Sequence, residues 1–471
     1  MPSFADAPTA SIPYSSAERP DLFFDGTWSE NSTAAWVSAA LARTQQSNRT
    51  GNWPIAWQMP TDQALEVVRS PRNREQVIRA LGAITQWRTL TSKQLAAVSA
   101  TSAFASTFSS LESSSVVLCA LFNLGLIEWG RPTYSPLQPR RSDTILYRPS
   151  KGGAFERYIA PLLTWSERIA ITAGADYTAS HQADRHNTLM MELALRAGEL
   201  TELGTILAEK HAMLCDLAVT DAGRLIAGDA QADAILVRPD GVRIAIEMTA
   251  SSGAYFTRKV QRWAQLIAAT PFDRSGLTVC FVTVPPPLAK MGHGGGVETQ
   301  TRSLIAAHAK ANPGSAQDRT ADRMAIARWQ DWFPALGTYS DAFTTLGARR
   351  PTGPTDDPWR SVDLLDPFEV PTPADTQRLR AVIANSWALA GTPDIVIPDR
   401  APGLDLAPTA LASLGLRCDL TPPPTVKDHR DTAPGSALGA AGASRVPPRL
   451  SWSPRRDRPL PRAIRPASPA A

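Results

Sequence analysis

The sequence lacks several patterns that would place it in a familiar class of protein. It has no run of about 18 apolar residues and no N-terminal basic-then-apolar pattern, so we expect neither a membrane-spanning helix nor a secretory signal. The four cysteines, Cys119, Cys215, Cys280 and Cys418, are far apart and form no C-x-x-C motif. Because of this spacing, we expect neither a disulfide framework nor a thiolate zinc site. We therefore expect a cytoplasmic protein without a membrane partner.

Three enzyme signatures are also missing. No G-x-x-x-x-G-K-[ST] loop is present, and no H-E-x-x-H or H-x-H spacing surrounds His186. The part expected to fold contains no G-x-S-x-G motif, which argues against an α/β-hydrolase. The stretch KMGHGGGVETQ leads into a predicted helix and could cradle a phosphate, but a surface loop is the preferred interpretation.

Positive charge is concentrated at the C-terminal end. The chain carries a net charge of +4, but nine Lys or Arg oppose three Asp after residue 425. The rest of the chain is therefore slightly negative, and any nucleic-acid contact there must come from local clusters. The 40 prolines among 471 residues predict that part of the chain does not fold. We expect a Pro- and Arg-rich, largely disordered basic tail at 346–471, with full disorder from about residue 401.

The first half of the chain begins with an arm and continues with helices. Residues 1–70 hold four tryptophans, and only 31–44 shows convincing helical content, so we expect an arm that packs on an unspecified partner. Next, REQVIRALGAITQWRTL and TSKQLAAVSA predict two helices, and a third is predicted at 111–123, ended by Gly125. LIEWGRPTY and TILYRPS then predict a β-ribbon. Over 71–155, this is the order of a winged helix-turn-helix, which binds DNA through its third helix.

The basic residues of this predicted domain lie mainly in its ribbon. The expected exposed positions of the third helix, Ser113, Ser114 and Asn123, include no Arg or Lys, so base readout has little support. Phosphate contact by the ribbon is better supported. The alternative is a domain used for dimerisation or for packing on its neighbour. The residues expected to contact DNA are Lys93, Arg131, Arg140, Arg141, Arg148 and Lys151.

Helices and strands alternate over residues 165–345. The predicted order is α-β-β-β-α-β, and the strands leave no consistently polar face. We therefore expect a central sheet with helices on both sides, with ARWQDWFPAL packing back on it. The predicted elements are a helix at 185–202, strands at 213–219, 232–238 and 242–249, a helix at 255–268, and a last strand in GLTVCFVTVP.

Two acidic residues lie in apolar strands, in ADAILVRPDGVRIAIEMTAS. If residues 239–241 form a three-residue loop, Arg238 closes against Val242. Counting back along both strands then places Asp233 opposite Glu247 on one side of the sheet, about 5 Å apart at Cβ. Two close carboxylates in a covered sheet repel each other and lose hydration.

A divalent cation would remove both penalties. Mg²⁺ suits one or two carboxylates, with waters and substrate phosphate oxygens as further ligands. The alternative is a structural ion pair, in which Arg243, Arg258 or Lys259 neutralises the acids.

Asp233, a strand-turn-strand and then Glu247-Met248-Thr249, within the α-β-β-β-α-β order, resemble the core of the PD-(D/E)XK nucleases. The resemblance implies that Asp233 and Glu247 ligate Mg²⁺ and that Glu192 on the preceding helix assists. The lysine that this family places two residues after the Glu is Thr249 here. Because Thr carries no positive charge, it cannot polarise water as an ammonium does. Lys259 at the start of the next helix is a candidate replacement.

The order of the two predicted domains, over residues 74–285, resembles the replication-relaxation family of plasmid and mobile-element proteins, in which a winged helix precedes a PD-(D/E)XK-like domain. The resemblance implies double-stranded DNA as a partner, with other replication or conjugation proteins as further candidates. Two functions remain as hypotheses: a Mg²⁺-dependent DNA nickase, or a catalytically inactive DNA-binding accessory or transcriptional regulator. The expected fold class is mixed α+β, with a restriction-endonuclease-like domain in the centre.

Overall fold

The computed structural model describes most of the chain between residues 9 and 371. No helix in these described parts is long and apolar enough to cross a membrane. The described ranges are 9–11, 19–25, 27–28, 34–48, 55–99, 104–105, 114–132, 143–163, 165–173, 175–178, 183–201, 203, 205–238, 240–250, 253–285, 294–351 and 359–371.

A small antiparallel sheet with helices around it forms the first part of the structure. Its elements are β1 (Thr9–Ser11), β2 (Ala34–Val37), α1 (Ala39–Ser47), α2 (Thr61–Arg69), α3 (Arg74–Trp87), β3 (Leu90–Thr91), α4 (Ser92–Val98), α5 (Val116–Asn123), β4 (Ile127–Pro132) and β5 (Leu146–Pro149). The strands of the sheet lie in the order β2-β4-β5-β3, whereas β1 pairs elsewhere. The predicted β-ribbon is thus present as β4 and β5.

A seven-stranded sheet organises the second part. Its elements are α6 (Trp165–Thr172), α7 (Asp184–Leu200), β6 (Thr205–Ala208), α8 (Leu214–Leu217), α9 (Asp221–Ala227), β7 (Ala234–Val237), β8 (Arg243–Thr249), α10 (Ala254–Ala269), α11 (Phe272–Ser275), β9 (Leu277–Thr283), α12 (Gly294–Ala311), β10 (Met324–Arg328), α13 (Trp329–Trp332), β11 (Thr338–Ser340), α14 (Asp341–Thr344), β12 (Gly347–Pro351) and β13 (Trp359–Asp363). The strand order is β13-β12-β10-β9-β8-β7-β6, and β11 pairs with β1. Strands β8, β9 and β10 are parallel, and the other pairs in the sheet are antiparallel.

Helices cover both faces of this sheet, as the apolar strands predict. On one face, Leu193 of α7 shares a buried cluster with Leu236 and Ile244. On the other face, Trp263 of α10 shares a second cluster with Ala245. Successive residues of a strand point to opposite faces, so the odd-numbered positions of β7 and β8 lie on the α10 side. This alternation decides which helix meets each acidic side chain.

Two predictions from local sequence are confirmed: the residue that caps the start of α4 and the glycine that follows the end of α5. Thr91 caps α4 by accepting a hydrogen bond from the Gln94 amide, and the Gln94 side chain in turn accepts the Thr91 N–H. Gly125 ends the turn after α5 with φ of 73°, a conformation that other residues adopt at a cost. The predicted packing of ARWQDWFPAL is also confirmed, because Trp329 and Trp332 are fully buried.

The N-terminal arm packs on α7 of the same chain. The Trp28 indole N–H donates to Thr188 Oγ1 at 3.0 Å. Arg19 Nη1 donates to Glu199 Oε1 at 2.8 Å. The arm therefore packs on the central part of this chain, a partner that the sequence does not identify.

Helix α5, which corresponds to the predicted third helix of the winged helix, is not exposed. Helix α2 packs on α5, and the Trp57 ring lies 5.0 Å from the Phe122 ring. The expected exposure of Asn123 is wrong: its side chain is buried and donates to the Cys119 carbonyl at 2.8 Å. Ser114 is half-buried, and Ser113 lies outside the described residues. Because the arm occupies this face, α5 as folded here is not free to enter a DNA groove.

Two elements differ from their predictions. The helix expected over 31–44 is instead β2 followed by α1, because β2 pairs with the edge of β4. The strand expected over 213–219 is helix α8, preceded by an isolated bridge of Met213. Strand β6 takes its place beside β7, where β-branched Thr205 fits a pleated, buried surface. The α-β-β-β-α-β order is preserved.

The predicted boundary between residues 345 and 346 is wrong. Strands β12 and β13 extend the sheet beyond it. Arg238 holds the segment after β13 by donating to the Val370 carbonyl at 2.7 Å. The folded part therefore continues at least to residue 371, and the predicted tail beyond it, 372–471, lies outside the described residues.

Gly130 allows β2 to lie against β4. A Cβ atom at this position would lie 2.7 Å from Trp36 Cε3 and 2.9 Å from the Ala35 carbonyl oxygen. We predict that Gly130→Ala lowers the free energy of unfolding by about 1–3 kcal/mol, because overpacking must displace the arm. Urea denaturation measures this loss. Gly153→Ala is the control, since no atom lies within 4 Å of its Cβ position. Equal stability of the two variants would contradict the role assigned to Gly130.

Candidate functional site

The β7–β8 hairpin has the register that its loop predicts. The Arg238 N–H donates to the Val242 carbonyl at 2.8 Å, as expected for a three-residue loop. The pairing continues to Ala234 opposite Ile246. Residue 239 of the loop lies outside the described residues. Beyond this pair the Asp233 N–H donates to the Ile246 carbonyl at 3.1 Å, and Asp233 and Glu247 both lie on the α10 side.

Asp233 and Glu247 each accept a hydrogen bond in this buried position. Asp233 Oδ2 accepts the Met248 N–H at 2.7 Å, and Glu247 Oε1 accepts the Trp263 indole N–H at 2.6 Å. Only 10% of the Asp233 side chain and 1% of the Glu247 side chain are exposed. Hydrogen bonds of this kind lower the cost of burying a carboxylate but do not neutralise its charge.

Lys259 of α10 contacts both carboxylates. Its Nζ lies 3.3 Å from Asp233 Oδ1 and forms an ion pair with Glu247 Oε2. Lys259 is one of the three cations that the sequence offers as neutralising partners. Another, Arg243, donates instead to the Ser275 carbonyl at 2.9 Å. The third, Arg258, is exposed on α10. A single ammonium group thus lies between two carboxylates from neighbouring strands.

The environment drives the pKa values of the two carboxylates apart. Burial raises the pKa of Glu247 from its usual 4.5 to about 8; Lys259 opposes this rise and the charge of Asp233 adds to it. Burial alone would raise the pKa of Asp233, but Lys259 and His186 hold it below its usual range. Burial also opposes the charge of Lys259, yet the two acids raise its pKa. The two carboxylates therefore ionise in different pH ranges, and Glu247 stays protonated to a higher pH than Asp233.

Two neighbours of this cluster have no motif in the sequence. His186 Nε2 lies 3.4 Å from Asp233 Oδ2, and about one third of its side chain is exposed. Glu209 forms an ion pair with Arg88 at 2.6 Å, and its pKa is affected by the charge of Asp233. Burial raises its pKa, Arg88 opposes this rise and the Asp233 charge adds to it. His186 lies near the start of α7, where a histidine more often has a structural role. Glu209 follows β6, a strand that the sequence does not predict. Neither can be assigned from spacing alone.

Trp263 gives a sequence signal that spacing could have revealed. It follows Lys259 by four residues, so the two side chains share one face of α10. That face also carries the buried Phe256 and Val260. A lysine at the edge of an apolar helix face, opposite a strand with a glutamate, indicates a buried ion pair.

The structure does not bring Glu192 to this cluster. Glu192 lies on α7 and is fully buried, with ion pairs to Arg19 at 3.2 Å and Arg196 at 3.1 Å. Its Oε2 also accepts from Gln94 Nε2 at 3.2 Å. Burial alone would raise its pKa, but the two arginines lower it. The expected assisting role is corrected, because α7 turns this carboxylate toward the arm rather than toward the α10 side.

Thr249 lies close in the chain but adds no charge. It follows Glu247 by two residues, shares its face of β8 and is buried. Its backbone carbonyl accepts the Val284 N–H at 2.8 Å. The positive charge of the cluster comes from the neighbouring helix, as expected if Lys259 replaces the missing lysine.

The expected DNA-contacting residues are scattered over the first part of the structure. Lys93 lies half-buried in α4, Arg131 lies half-buried in β4, and Lys151 is exposed after β5. Arg148 is engaged internally: it pairs with Glu128 and lies 4.2 Å from the centre of the Trp36 ring. Residues 140 and 141, both Arg, lie outside the described residues. Among these described members, Lys151 alone is exposed.

The two carboxylates match the ligand number that Mg²⁺ accepts. Among the residues that the structure describes, no group of three or more His, Cys, Asp or Glu side chains could hold a metal ion. Mg²⁺ nevertheless needs only one or two protein carboxylates when waters and phosphate oxygens supply the rest. Asp233 and Glu247 fit this requirement because one cation, Lys259 Nζ, already contacts both.

Comparison with known proteins does not place the chain in a family: no family model, curated protein or solved structure matches it.

Glu247 makes the stability of the protein depend on pH. Its pKa rises on folding from 4.5 to about 8, so folding is favoured below pH 4.5 and this contribution is lost as the pH approaches 8. We predict that stability falls between pH 5 and 8 more in the wild type than in Glu247→Gln. Urea denaturation across this range measures the difference. Glu75→Gln, an exposed position, should follow the wild type. Parallel curves for Glu247→Gln and the wild type would refute the raised pKa.

Proposed function

We propose that this chain is a DNA-binding protein whose central sheet carries a Mg²⁺-dependent phosphodiesterase site at Asp233, Glu247 and Lys259. One observation carries the proposal: Lys259 contacts both carboxylates on the sheet face where the hairpin register places them. A lysine beside two acidic residues supplies the charge that Thr249 lacks. Two carboxylates with separated pKa values beside a cation are also more frequent at functional sites than elsewhere.

The order of elements supports a PD-(D/E)XK-like domain. Helix α7 is followed by β6, β7 and β8, then by α10 and β9, with only the short α8 and α9 inserted before β7. Helices α3, α4 and α5 followed by the β4–β5 pair support a winged helix before it. Together these orders agree with the replication-relaxation resemblance, and a role in plasmid or mobile-element replication is part of the proposal.

The proposed chemistry is hydrolysis of a phosphodiester by water. When bound, Mg²⁺ would activate the water and offset phosphate charge. Asp233 and Glu247 would hold the ion, and Lys259 would turn from the carboxylates to the phosphate, where its ammonium stabilises developing negative charge. His186, within reach of Asp233 and partly exposed, keeps that carboxylate ionised.

DNA contact is proposed for the exposed face of α10 rather than for α5. Arg258 and Arg262 are exposed on α10, and Tyr255 at its start is 74% exposed. These residues lie on the helix that carries Lys259. A DNA backbone bound by these arginines would therefore run close to the two carboxylates. Lys151 and the basic tail are further candidates for phosphate contact. Because α5 is covered by α2, sequence readout through it is not proposed.

Nicking of supercoiled plasmid tests the proposal. With Mg²⁺ present we expect the wild type to nick the plasmid. Asp233→Asn and Glu247→Gln should each reduce the rate at least about 100-fold because each removes a proposed metal ligand, and Lys259→Met should do so because it removes the ammonium. Agarose gel electrophoresis over time measures the rate. Asp221→Asn is the matched control, since that side chain is fully exposed on α9. Nicking that persists in all three site variants would exclude this site.

A catalytically inactive DNA-binding accessory or regulator is the second candidate function. It is favoured by the same ion pair, because Lys259 already contacts both acids without a metal. In that case nicking is absent while DNA binding remains. We predict that Arg258→Gln with Arg262→Gln weakens DNA binding and lowers its salt dependence in either case. Fluorescence anisotropy at about 50 mM and 200 mM salt measures both effects. No DNA binding by the wild type at the lower salt would refute both functions.

A further inference from the structure

A cleft lies at the opposite end of the parallel strands from Lys259. Its volume is about 970 Å³, and its walls come from α11, the loop before β10, the end of β12, the start of β13 and the segment after it. Volumes of this order are typical of small-molecule sites. Four arginines and four acidic residues line it: Arg319, Arg323, Arg350 and Arg360, and Asp273, Asp318, Asp322 and Glu369.

Two of these arginines are neutralised by neighbouring carboxylates. Arg323 pairs with Asp318 at 3.1 Å, and Arg319 pairs with Asp322 at 2.8 Å. Asp318 further accepts the Phe272 N–H at 2.7 Å, which holds the wall of the cleft in place. These pairs frame the cleft but leave no net charge.

Arg350 and Arg360 differ from the framing pairs. Arg350 is only 8% exposed and donates to two backbone carbonyls, those of Asp322 at 2.9 Å and Glu369 at 3.4 Å. Within the described part of the chain, its Nε has no hydrogen-bond acceptor, and neither arginine forms an ion pair with a carboxylate. A buried guanidinium whose Nε has no acceptor is costly.

The two guanidinium groups also repel each other. Arg350 and Arg360 are direct partners in the β12–β13 pairing. Burial lowers the pKa of Arg350 and the charge of Arg360 lowers it further, whereas Asp322 and Glu369 oppose this shift in part. Like charges opposite each other on neighbouring strands are destabilising unless an anion lies between them or nearby.

We propose that this cleft binds a phosphorylated small molecule, with its phosphate on Arg350 and Arg360. Paired guanidinium groups match the oxygens of a phosphate group and bind it by charge-assisted hydrogen bonds. Phe368, which is 92% exposed at the cleft, offers an apolar ring to the rest of the ligand. This site is independent of the acidic cluster, because it uses other residues at the other end of the strands.

Isothermal titration calorimetry of the full chain with AMP, inorganic phosphate and adenosine tests the site. AMP and phosphate should bind and adenosine should not, because the phosphate carries the interaction. Arg360→Gln should weaken AMP binding at least about tenfold, since it removes a charge-assisted contact from an exposed position that folding does not need. Arg350→Gln should weaken it as well, with its thermal unfolding measured alongside.

Arg224→Gln is the matched control, because Arg224 is exposed on α9, pairs with Asp221 and does not line the cleft. Its AMP affinity should equal that of the wild type. Unchanged binding in Arg360→Gln, equal loss in Arg224→Gln, or adenosine binding as tight as that of AMP would each overturn the proposal. Loss of nicking activity has no bearing on these outcomes, so this site and the proposed nuclease site are tested separately.

Discussion

The central sheet must bury two carboxylates on one face, and the ammonium of Lys259 makes this possible. The hairpin register fixes Asp233 and Glu247 on the α10 side, so a cation can reach both only from that helix. Two ionised acids would outnumber one lysine. The raised pKa of Glu247 resolves the excess, because a proton on Glu247 leaves one carboxylate facing one ammonium. Protonation of Glu247 therefore makes the group of Asp233, Glu247 and Lys259 neutral, which is compatible with its depth.

This neutrality bears directly on the choice between the two proposed functions. A purely structural pair would need one acid and one base, and a second carboxylate only adds repulsion. A site that takes up a divalent cation needs the second carboxylate, and it releases a proton and frees the lysine when the cation arrives. The extra acid is thus easier to explain by ligand binding than by stability. Glu247 also lies near the carboxyl end of β8. The carboxyl ends of parallel strands are where α/β sheets bind their ligands.

The sequence predicts those parts of the site that depend on neighbours in the chain. The loop length and strand alternation determine the register, so the opposed acids follow from the order of residues alone. Lys259 is predictable for the same reason, since it lies a short distance along the next helix. The expected place of Glu192 is wrong because helical periodicity identifies a buried face without saying which partner covers it. The covering partner is the arm, through Arg19, and such long-range pairing leaves no local signal.

The arm also explains why the expected exposure of the third helix is wrong. Spacing correctly locates α5, but its exposure depends on α2 and Trp57, which precede it by some fifty residues. Trp28 on α7 and Trp36 against Gly130 join the two parts of the structure through the same arm. A helix enclosed in this way can read DNA only if α2 and Trp57 leave it, and leaving would separate the Trp57 and Phe122 rings, both of which are buried. Since exposing these buried rings is costly, the folded protein keeps α5 covered, and the proposed DNA contact therefore uses the exposed arginines of α10.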